Sequence, residues 1–256
     1  MTRIGVVVFP GSNCDRDTLA GVELAGGVAV ALWHEQADLD GVAGVILPGG
    51  FAYGDYLRAG VIARFSPIMR AVSAFASDGG LVLGICNGFQ VAAEAHLVPG
   101  ALLRNRGLRF LGRDVRIAAS RSDTPFTSLV EAGRPMRMPI AHGEGCYFAD
   151  KAELDALERE GQVLFRYVSA DGRPAAEGDR EANPNGSLRA IAGVLNARGN
   201  VAGLMPHPER ASEAILGSDD GLPILRSFVG AAARAEQGGW PPVVGAAAAV
   251  PVGVAS

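Results

Sequence analysis

Short apolar runs alternate with helical patterns through the first hundred residues. The runs IGVVVFP, VAVALWH, GVAGVILPGG and LVLGIC are nearly continuous, which is typical of strands buried on both faces of a parallel sheet. Between the first two runs, Leu19, Val22 and Ala25 keep helical spacing before glycines end the segment. The pattern predicts an α/β fold with a mostly parallel central sheet and helices on both faces.

The second half of the chain is less regular. The segments RFLGRDVRIAAS, RPMRMPIAHGEGCYFA, QVLFRYVS and LRAIAGVLNARGNVAGLMP predict extended or antiparallel pieces, with Gly199 and Asn200 as a hairpin turn. A helix from about Leu222 to Ala235 is expected to close the fold. The stretch GGWPPVVGAAAAVPVGVAS is uncharged and contains prolines. We therefore expect one domain over residues 1–230 and a flexible Ala/Gly/Pro/Val-rich tail over residues 231–256.

Composition excludes several classes of function. Hydrophobic residues make up 48% of the chain, and the net charge of −4 offers no basic surplus for nucleic acid. No run approaches the roughly 18 apolar residues that cross a bilayer, and the apolar run before Pro10 is too short for a signal peptide. The three cysteines lie far apart, which favours a reducing compartment over a disulfide framework. These features predict a soluble cytoplasmic protein.

Cys86 lies in a turn that suggests chemistry. An apolar run ends just before it, and the segment from Gln90 onward has the pattern of a helix. Gly84 and Gly88 flank Cys86 with the spacing of a nucleophile elbow, with sulfur in place of oxygen. The amides of a helix N-terminus favour a thiolate and can hold an oxyanion. The alternative is a small buried residue at a strand end.

His207 is the strongest candidate for the base among the four histidines. It lies in LMPHPER, where the following proline favours an extended backbone, so His207 and Glu209 should point the same way. Such a pair can present an imidazole to a thiolate while the carboxylate fixes its tautomer. The alternative is a solvated loop with an incidental ion pair. His34 and His96 are interpreted as structural or exposed.

Two other features are open to more than one interpretation. Cys14, in GSNCDRD, lies near a helix start that we expect Ser12 or Asn13 to cap, and Cys146 is expected to be buried. The loop YGDYLRAG is either a helix start capped by Asp55 or a docking surface beside the active edge.

Several motifs together carry a resemblance. GICNGFQ followed by PHPE resembles the class I, or triad-type, glutamine amidotransferases. FPGSNCDRD, LPGGFAYGDYLRAGVIARFSP and HGEG narrow the resemblance to the glutaminase subunits of phosphoribosylformylglycinamidine synthases, of purine biosynthesis. It extends from residue 3 to about residue 230. It implies a flavodoxin-like class I amidotransferase fold with an extra antiparallel portion in the second half.

The resemblance also implies roles for individual residues. Cys86 would attack the glutamine carboxamide to form a γ-glutamyl thioester, His207 would carry the proton, and Glu209 would orient His207. The backbone N–H groups of Gly50 and Asn87 would form the oxyanion hole.

The glutamine pocket follows from the same resemblance. It would be lined by Gly49, Gly88, Gln90, His142 and Gly143. Of these, His142 is expected to shape the site rather than to serve as the base.

The resemblance further implies two partners in the same complex, a large synthetase and a third small subunit. The chain lacks a phosphate-binding G-x-x-x-x-G-K-[ST] loop, so no cofactor is expected in this subunit, and ATP and magnesium are expected on the synthetase. No metal site is predicted, because the histidines and cysteines lack the close pairs of zinc sites.

Two other functions compete with this interpretation. One is a glutaminase of another pathway or a general cysteine hydrolase; the segments PGSNCDRD and GGFAYGDYLRAG argue against it, because generic members need only the elbow and the His–Glu pair. The other is a non-catalytic scaffold of the same fold. The intact set of Cys86, His207 and Glu209 argues against the scaffold.

Overall fold

The computed structural model describes residues 1–176 and 178–238. The helices are α1 (Asp15–Leu24), α2 (Pro67–Ser77), α3 (Asn87–Glu94), α4 (Lys151–Arg159) and α5 (Leu222–Glu236). The strands are β1 (Arg3–Val8), β2 (Val28–Trp33), β3 (Gly44–Leu47), β4 (Leu81–Ile85), β5 (Ala101–Leu103), β6 (Leu111–Ala119), β7 (Met136–His142), β8 (Cys146–Phe148), β9 (Val163–Tyr167), β10 (Ile191–Leu195) and β11 (Val201–Leu204).

A nine-stranded sheet forms the centre of the molecule, in the order β2-β1-β3-β4-β11-β10-β9-β6-β7. The first five of these strands run parallel to one another. The remaining four run antiparallel to the strands beside them. A separate two-stranded antiparallel sheet joins β5 to β8. The predicted combination of a mostly parallel sheet, flanking helices and an antiparallel portion from the second half is confirmed.

Local sequence determines where the helices begin and which face they bury. The side chain of Asp150 accepts the N–H of Glu153 at 2.8 Å and so caps α4. Pro67 opens α2, where its missing N–H is not needed. Helix α2 then buries residues at helical spacing, namely Ile68, Met69, Val72 and Ala76. The sheet contributes fully buried strands such as β3 and β4 to the same core.

The topology brings four loops to one edge of the sheet. Strands β1, β3, β4 and β11 are mutually parallel, so their carboxyl ends lie side by side. The loop carrying Cys14 follows β1, the Gly49–Gly50 pair follows β3, Cys86 follows β4, and His207 comes after β11. Residues that are distant in the chain therefore meet at this edge.

Helix α5 closes the fold as expected, ending at Glu236 instead of Ala235. It packs against α1 and β3. It runs without a break across residue 230, the predicted end of the domain, and Ala231 and Ala232 are buried. Packing thus continues to Ala232, and the helix to Glu236. The part of the predicted tail from residue 239 to residue 256 lies outside the described residues.

Candidate active site

Cys86 occupies a sharp turn between β4 and α3. Its backbone has φ 49° and ψ −105°, a conformation that costs energy for any residue with a Cβ. A Cβ at Gly88 would lie 1.9 Å from the carbonyl oxygen of Leu47, and one at Gly84 would lie 2.6 Å from the oxygen of Gly88. Only glycine fits these two places. The predicted nucleophile elbow is therefore present as a strained turn.

The elbow directs the thiol of Cys86 toward a cavity. Cys86 is 3% exposed, and its sulfur lies 3.7 Å from the carbonyl oxygen of Ala141 in β7. It immediately precedes the first turn of α3, where backbone N–H groups have no partner within the helix. The partial positive charge of that turn favours a sulfur anion.

His207 and Glu209 form a buried pair. The Nδ1 atom of His207 lies 2.6 Å from Oε1 of Glu209, and both side chains are almost completely shielded from solvent. The expectation of a period-two strand is wrong in one respect. His207 is extended, but Pro208–Ala211 form a single 3₁₀ turn. This turn folds Glu209 back onto the imidazole of His207. The two side chains therefore meet across a tight turn rather than along an extended segment.

The surroundings of His207 favour its charged form. Burial opposes an imidazolium, but the Glu209 carboxylate and the nearby Cys86 and Cys14 sulfurs outweigh it. Together they raise the pKa of His207 well above its usual value. An imidazolium facing a sulfur anion is the arrangement that a cysteine nucleophile needs.

Gly50 lines the cavity together with Cys86, and Asn87 follows Cys86 in the chain. Gly50 has φ +136°, and a Cβ there would lie 2.7 Å from the backbone nitrogen of Asn13. Asn87 is the first residue of α3, directly after the nucleophile. Backbone amides of a glycine loop and of a helix N-terminus are groups suited to holding a developing oxyanion.

The side chain of Asn87 ties these two elements together. Its Oδ1 accepts the N–H of Ala52 at 2.9 Å, and its Nδ2 donates to Asp55 at 3.1 Å and to Gln90 Oε1 at 2.8 Å. The Nε2 of Gln90 donates to the carbonyl of Glu144 at 2.6 Å. Gln90, predicted to touch glutamine, lines the cavity and also braces the loop on its far side.

His142 lines the same cavity, and its Nε2 atom is buried without a hydrogen-bond partner among the described residues. Its Nδ1 lies 3.1 Å from Oδ1 of Asn105, which also accepts the N–H of Gly145, while Nδ2 of Asn105 donates to backbone carbonyls. Nδ1 of His142 is therefore the donor, and Nε2 carries the lone pair. Burial, aided by the charge of His207, lowers the pKa of His142 to about 3. His142 is a neutral hydrogen-bond acceptor.

The cavity has a volume of about 230 Å³ and opens beside Cys86. Gly49 and Gly88 support its walls rather than line it, and the predicted residues Gly50, Gln90, His142 and Gly143 line it. It also contains residues absent from the prediction, namely Phe51, Asp55, Arg104, Leu108, Arg109, Phe110, Ala141 and Glu144. The charged ones among them come from three separate loops. Sequence could have pointed to Asp55 and Glu144, which lie in motifs already singled out, but had no signal for the arginines.

Asp55 is a partly buried carboxyl group in this cavity. Burial, together with the nearby charge of Glu144, raises its pKa to about 6, against the opposing effect of the hydrogen bond from Asn87. Asp55 has φ 53° and belongs to a short 3₁₀ segment, so its predicted role as the cap of a helix is wrong. The next α-helix, α2, starts only at Pro67.

Asp55→Asn should stabilise the protein above pH 6. The raised pKa means that the folded state holds an extra proton between about pH 4 and pH 6, so ionisation of Asp55 lowers the free energy of unfolding as pH rises through that window. After allowance for solvent screening, we expect the variant to gain about 1 kcal/mol at pH 7 and almost nothing at pH 4. Urea unfolding at both pH values measures this difference. Glu23→Gln, on the exposed side of α1, is the control, and an equal gain at both pH values would contradict the assignment.

The two other cysteines differ from expectation. Helix α1 begins after Cys14 without a side-chain cap, so capping by Ser12 or Asn13 is wrong. Cys14 instead turns its sulfur toward the pair formed by His207 and Glu209. Cys146 is only half-buried, and its sulfur lies 3.2 Å from the carbonyl of Gly186.

Comparison with known proteins gives a consistent result. A model of the CobB/CobQ-like glutamine amidotransferase domain matches residues 1–219. The PurQ subunit of phosphoribosylformylglycinamidine synthase from Rubrobacter xylanophilus is 58% identical over 230 residues, which are 90% of this chain and 99% of that protein. The corresponding protein from Chlorobaculum parvum is 56% identical over 88% of each chain. The chain belongs to the PurQ family of glutamine amidotransferases.

A solved structure supports the assignment of this chain to the PurQ family. A chain in the structure of PurLQS from Thermotoga maritima is 41% identical, with a TM-score of 0.77 over 90% of this chain and 98% of that one. Another glutamine amidotransferase from Thermotoga maritima is 15% identical with a TM-score of 0.55 over 89% of this chain and 96% of that one, a likeness of fold alone. None of the helices in the described part of the chain combines the length and apolar character needed to cross a membrane.

Proposed function

We propose that this chain is a glutaminase that supplies ammonia to a synthetase partner, which converts formylglycinamide ribonucleotide to formylglycinamidine ribonucleotide in purine biosynthesis. The observation that carries the proposal is the strained Cys86 elbow next to the buried His207–Glu209 pair, at the carboxyl ends of the neighbouring strands β4 and β11. The family's place in phosphoribosylformylglycinamidine synthase supplies the acceptor reaction.

The first half-reaction breaks the carboxamide C–N bond. The Cys86 sulfur, its proton transferred to His207, attacks the side-chain carbonyl carbon of glutamine. The oxygen becomes an anion between the N–H groups of Gly50 and Asn87. His207 then gives its proton to the departing nitrogen, the C–N bond breaks, and ammonia leaves a γ-glutamyl thioester on Cys86.

The second half-reaction returns the enzyme to its starting state. Water attacks the thioester carbon while His207 takes a proton from it. The C–S bond breaks, glutamate forms, and the proton on His207 compensates the charge of the released sulfur. Glu209 remains ionised throughout, because its role is to hold Nδ1 of the imidazole and to favour the imidazolium.

The lining of the cavity has the charges that an amino acid requires. Glu144 and Asp55 provide carboxyl groups for the α-ammonium group of glutamine, and Arg104 and Arg109 provide guanidinium groups for its α-carboxylate. The neutral His142 lines the same cavity and shapes it. A primary carboxamide linked to a zwitterion matches this distribution.

Exposed apolar side chains surround the mouth of the cavity. Three of them, Phe51, Leu108 and Phe110, line the cavity. Together with the exposed Tyr56 and Leu57, which follow Phe51 in the same loop, they form what we call the rim cluster. Phe51 and Phe110 stack at 6.2 Å, and Leu57 is 90% exposed with φ 67°. An apolar patch around the exit for ammonia is suited to a partner that must receive ammonia without loss to solvent. The synthetase is its proposed occupant, and a third small subunit completes the complex.

Leu57→Asp should weaken assembly with the synthetase. Burying a carboxylate in an apolar contact is costly, so we expect the dissociation constant to rise about tenfold or more. Titration calorimetry with the purified synthetase measures it. Leu129→Asp is the control, because Leu129 is 61% exposed but lies beside α5, where its N–H is bonded to Ser227. Equal affinity of the two variants would remove the rim cluster from the interface.

The proposal places ATP and magnesium on the synthetase, since this chain has no phosphate-binding loop motif. It places the complex in the cytoplasm, where a reducing environment keeps a catalytic thiol free. Cys14, Cys86 and Cys146 are all unpaired in the structure.

The test is ammonia release from glutamine by the purified chain, alone and with the synthetase, ATP, magnesium and formylglycinamide ribonucleotide. We expect a low rate alone and a sharp rise with the complete mixture. A high rate that ignores the partner would favour a free-standing glutaminase. No ammonia under any condition would overturn the proposed function.

A further inference from the structure

Cys14 is a buried thiol that the mechanism above does not use. It is 2% exposed at the start of α1, where its side chain makes no capping hydrogen bond. Its sulfur, a ring nitrogen of His207 and a carboxylate oxygen of Glu209 all lie within 4.8 Å of one another. The loop after β1 thus places a second sulfur against the catalytic pair, on a different element from Cys86.

Arg210 holds this sulfur in place. Its Nη2 donates to Cys14 Sγ at 3.1 Å, and its Nε donates to Oδ2 of Asp17 at 3.1 Å. Asp17, in the first turn of α1, fixes the guanidinium of Arg210. The Cys14 sulfur therefore accepts a hydrogen bond from Arg210 and holds its partial negative charge beside His207. Hydrogen bonds from a charged donor are stronger than those between neutral groups.

Gly49, which follows β3, packs against both the imidazole of His207 and the sulfur of Cys14. A Cβ at Gly49 would lie 2.7 Å from Cε1 of His207 and 3.1 Å from Cys14 Sγ. The imidazole and the sulfur therefore pack against the same glycine. Movement of either group would open a gap beside the other.

We propose that Cys14 is a positioning residue of the glutaminase centre: held by Arg210, its sulfur keeps the His207 imidazole against Glu209 and stabilises the imidazolium. The proposal rests on the proposed glutamine hydrolysis. Arg210 already donates to the sulfur, so this cluster suits proton chemistry better than a metal ion.

The charged and titratable groups around His207 set the sign of the expected effect. They are Glu209 on its own segment, Cys86 at the elbow, Cys14 on the loop after β1, His142 at the end of β7, and Arg210, which faces Cys14 and Glu209. His142 is neutral. Burial disfavours the imidazolium, while Glu209, Cys86 and Cys14 favour it, so removal of the Cys14 sulfur should lower the pKa of His207. The imidazolium is then lost at lower pH, and the alkaline limb of activity moves down.

The experiment measures glutamine-dependent ammonia release by the complete complex from pH 6 to pH 10. Cys14→Ala and Cys14→Ser are compared with wild type, with Cys146→Ser as the matched cysteine control. We expect Cys14→Ala to lower kcat roughly threefold to tenfold, to leave KM for glutamine within about twofold, and to move the alkaline limb to lower pH. Cys14→Ser, which keeps an acceptor for Arg210, should recover part of both changes.

Each other outcome overturns the proposal. A fall in kcat with an unmoved alkaline limb would assign Cys14 to packing alone, and an unchanged profile would give it no role. If Cys14→Ala does not fold, the position of the alkaline limb in Cys14→Ser and Arg210→Gln decides the question. Cys86→Ala, assayed in parallel, separates the two failures: activity in that variant would refute glutamine hydrolysis by Cys86, whatever Cys14 does.

Discussion

Cys86→Ala should abolish glutamine-dependent synthesis of formylglycinamidine ribonucleotide while leaving synthesis from added ammonia intact. The sulfur is the atom that forms the thioester, so its loss should reduce glutamine turnover about 10³-fold or more. The small alanine side chain keeps the Cβ that the elbow already tolerates at φ 49°, so the fold should persist. Parallel assays of the complete complex with glutamine and with ammonium chloride measure the effect.

Ammonia-dependent synthesis is the internal control for this variant. It needs the docked complex but not the glutaminase centre. Loss of both activities would indicate that Cys86 serves folding or docking, and retention of both would remove it from catalysis. Cys146→Ser, at a half-buried sulfur outside the cavity lining, should keep both activities near wild type.

Glu209→Gln should lower kcat for glutamine by about 10² to 10⁴ while leaving KM within a few-fold. The carboxylate accepts from Nδ1 of His207 at 2.6 Å in a fully buried position. A glutamine amide can donate to Nδ1 instead, which places the ring proton on Nε2 and deprives Cys86 of its base. It also removes the charge that favours the imidazolium. Residual activity remains because the nucleophile and the oxyanion donors are intact.

The control for this variant is Glu213→Gln, four residues further along the chain and exposed to solvent. It should behave like wild type in steady-state assays of the complete complex. If Glu209→Gln also behaved like wild type, the triad assignment would be wrong. If its KM rose instead of its kcat falling, Glu209 would have to be assigned to substrate binding.

The elbow and the histidine pair could be predicted because short-range geometry governs them. Gly84 and Gly88 flank Cys86 at a fixed spacing. A Cβ at Gly84 would clash with the backbone of Gly88, and a Cβ at Gly88 would clash with the backbone of Leu47 in the neighbouring strand. Glu209 lies two residues from His207, so any tight backbone would bring them near each other. The predicted backbone conformation was wrong, because Pro208–Ala211 form a 3₁₀ turn instead of the expected extended segment.

Other features depended on long-range contacts and left no local signal. Arg104 and Arg109 reach the cavity through a loop between β5 and β6 that no periodic pattern describes. The raised pKa of Asp55 comes from burial and from Glu144, which lies 89 positions away in the chain. The capping assigned to Asp55, Ser12 and Asn13 failed for the same reason, because tertiary contacts gave those segments other conformations.

The sequence by itself determined the class of fold, the elbow and the candidate triad, because periodicity and fixed spacing are properties of neighbouring residues. The family followed from the resemblance of its motifs. Only the tertiary structure decided which groups share a space. It brought Cys14 to His207, neutralised His142 by burial, and set Asn87 as the link between the loop after β3 and α3. Desolvation and contact across a sheet edge depend on how the whole chain packs, and no single segment specifies them.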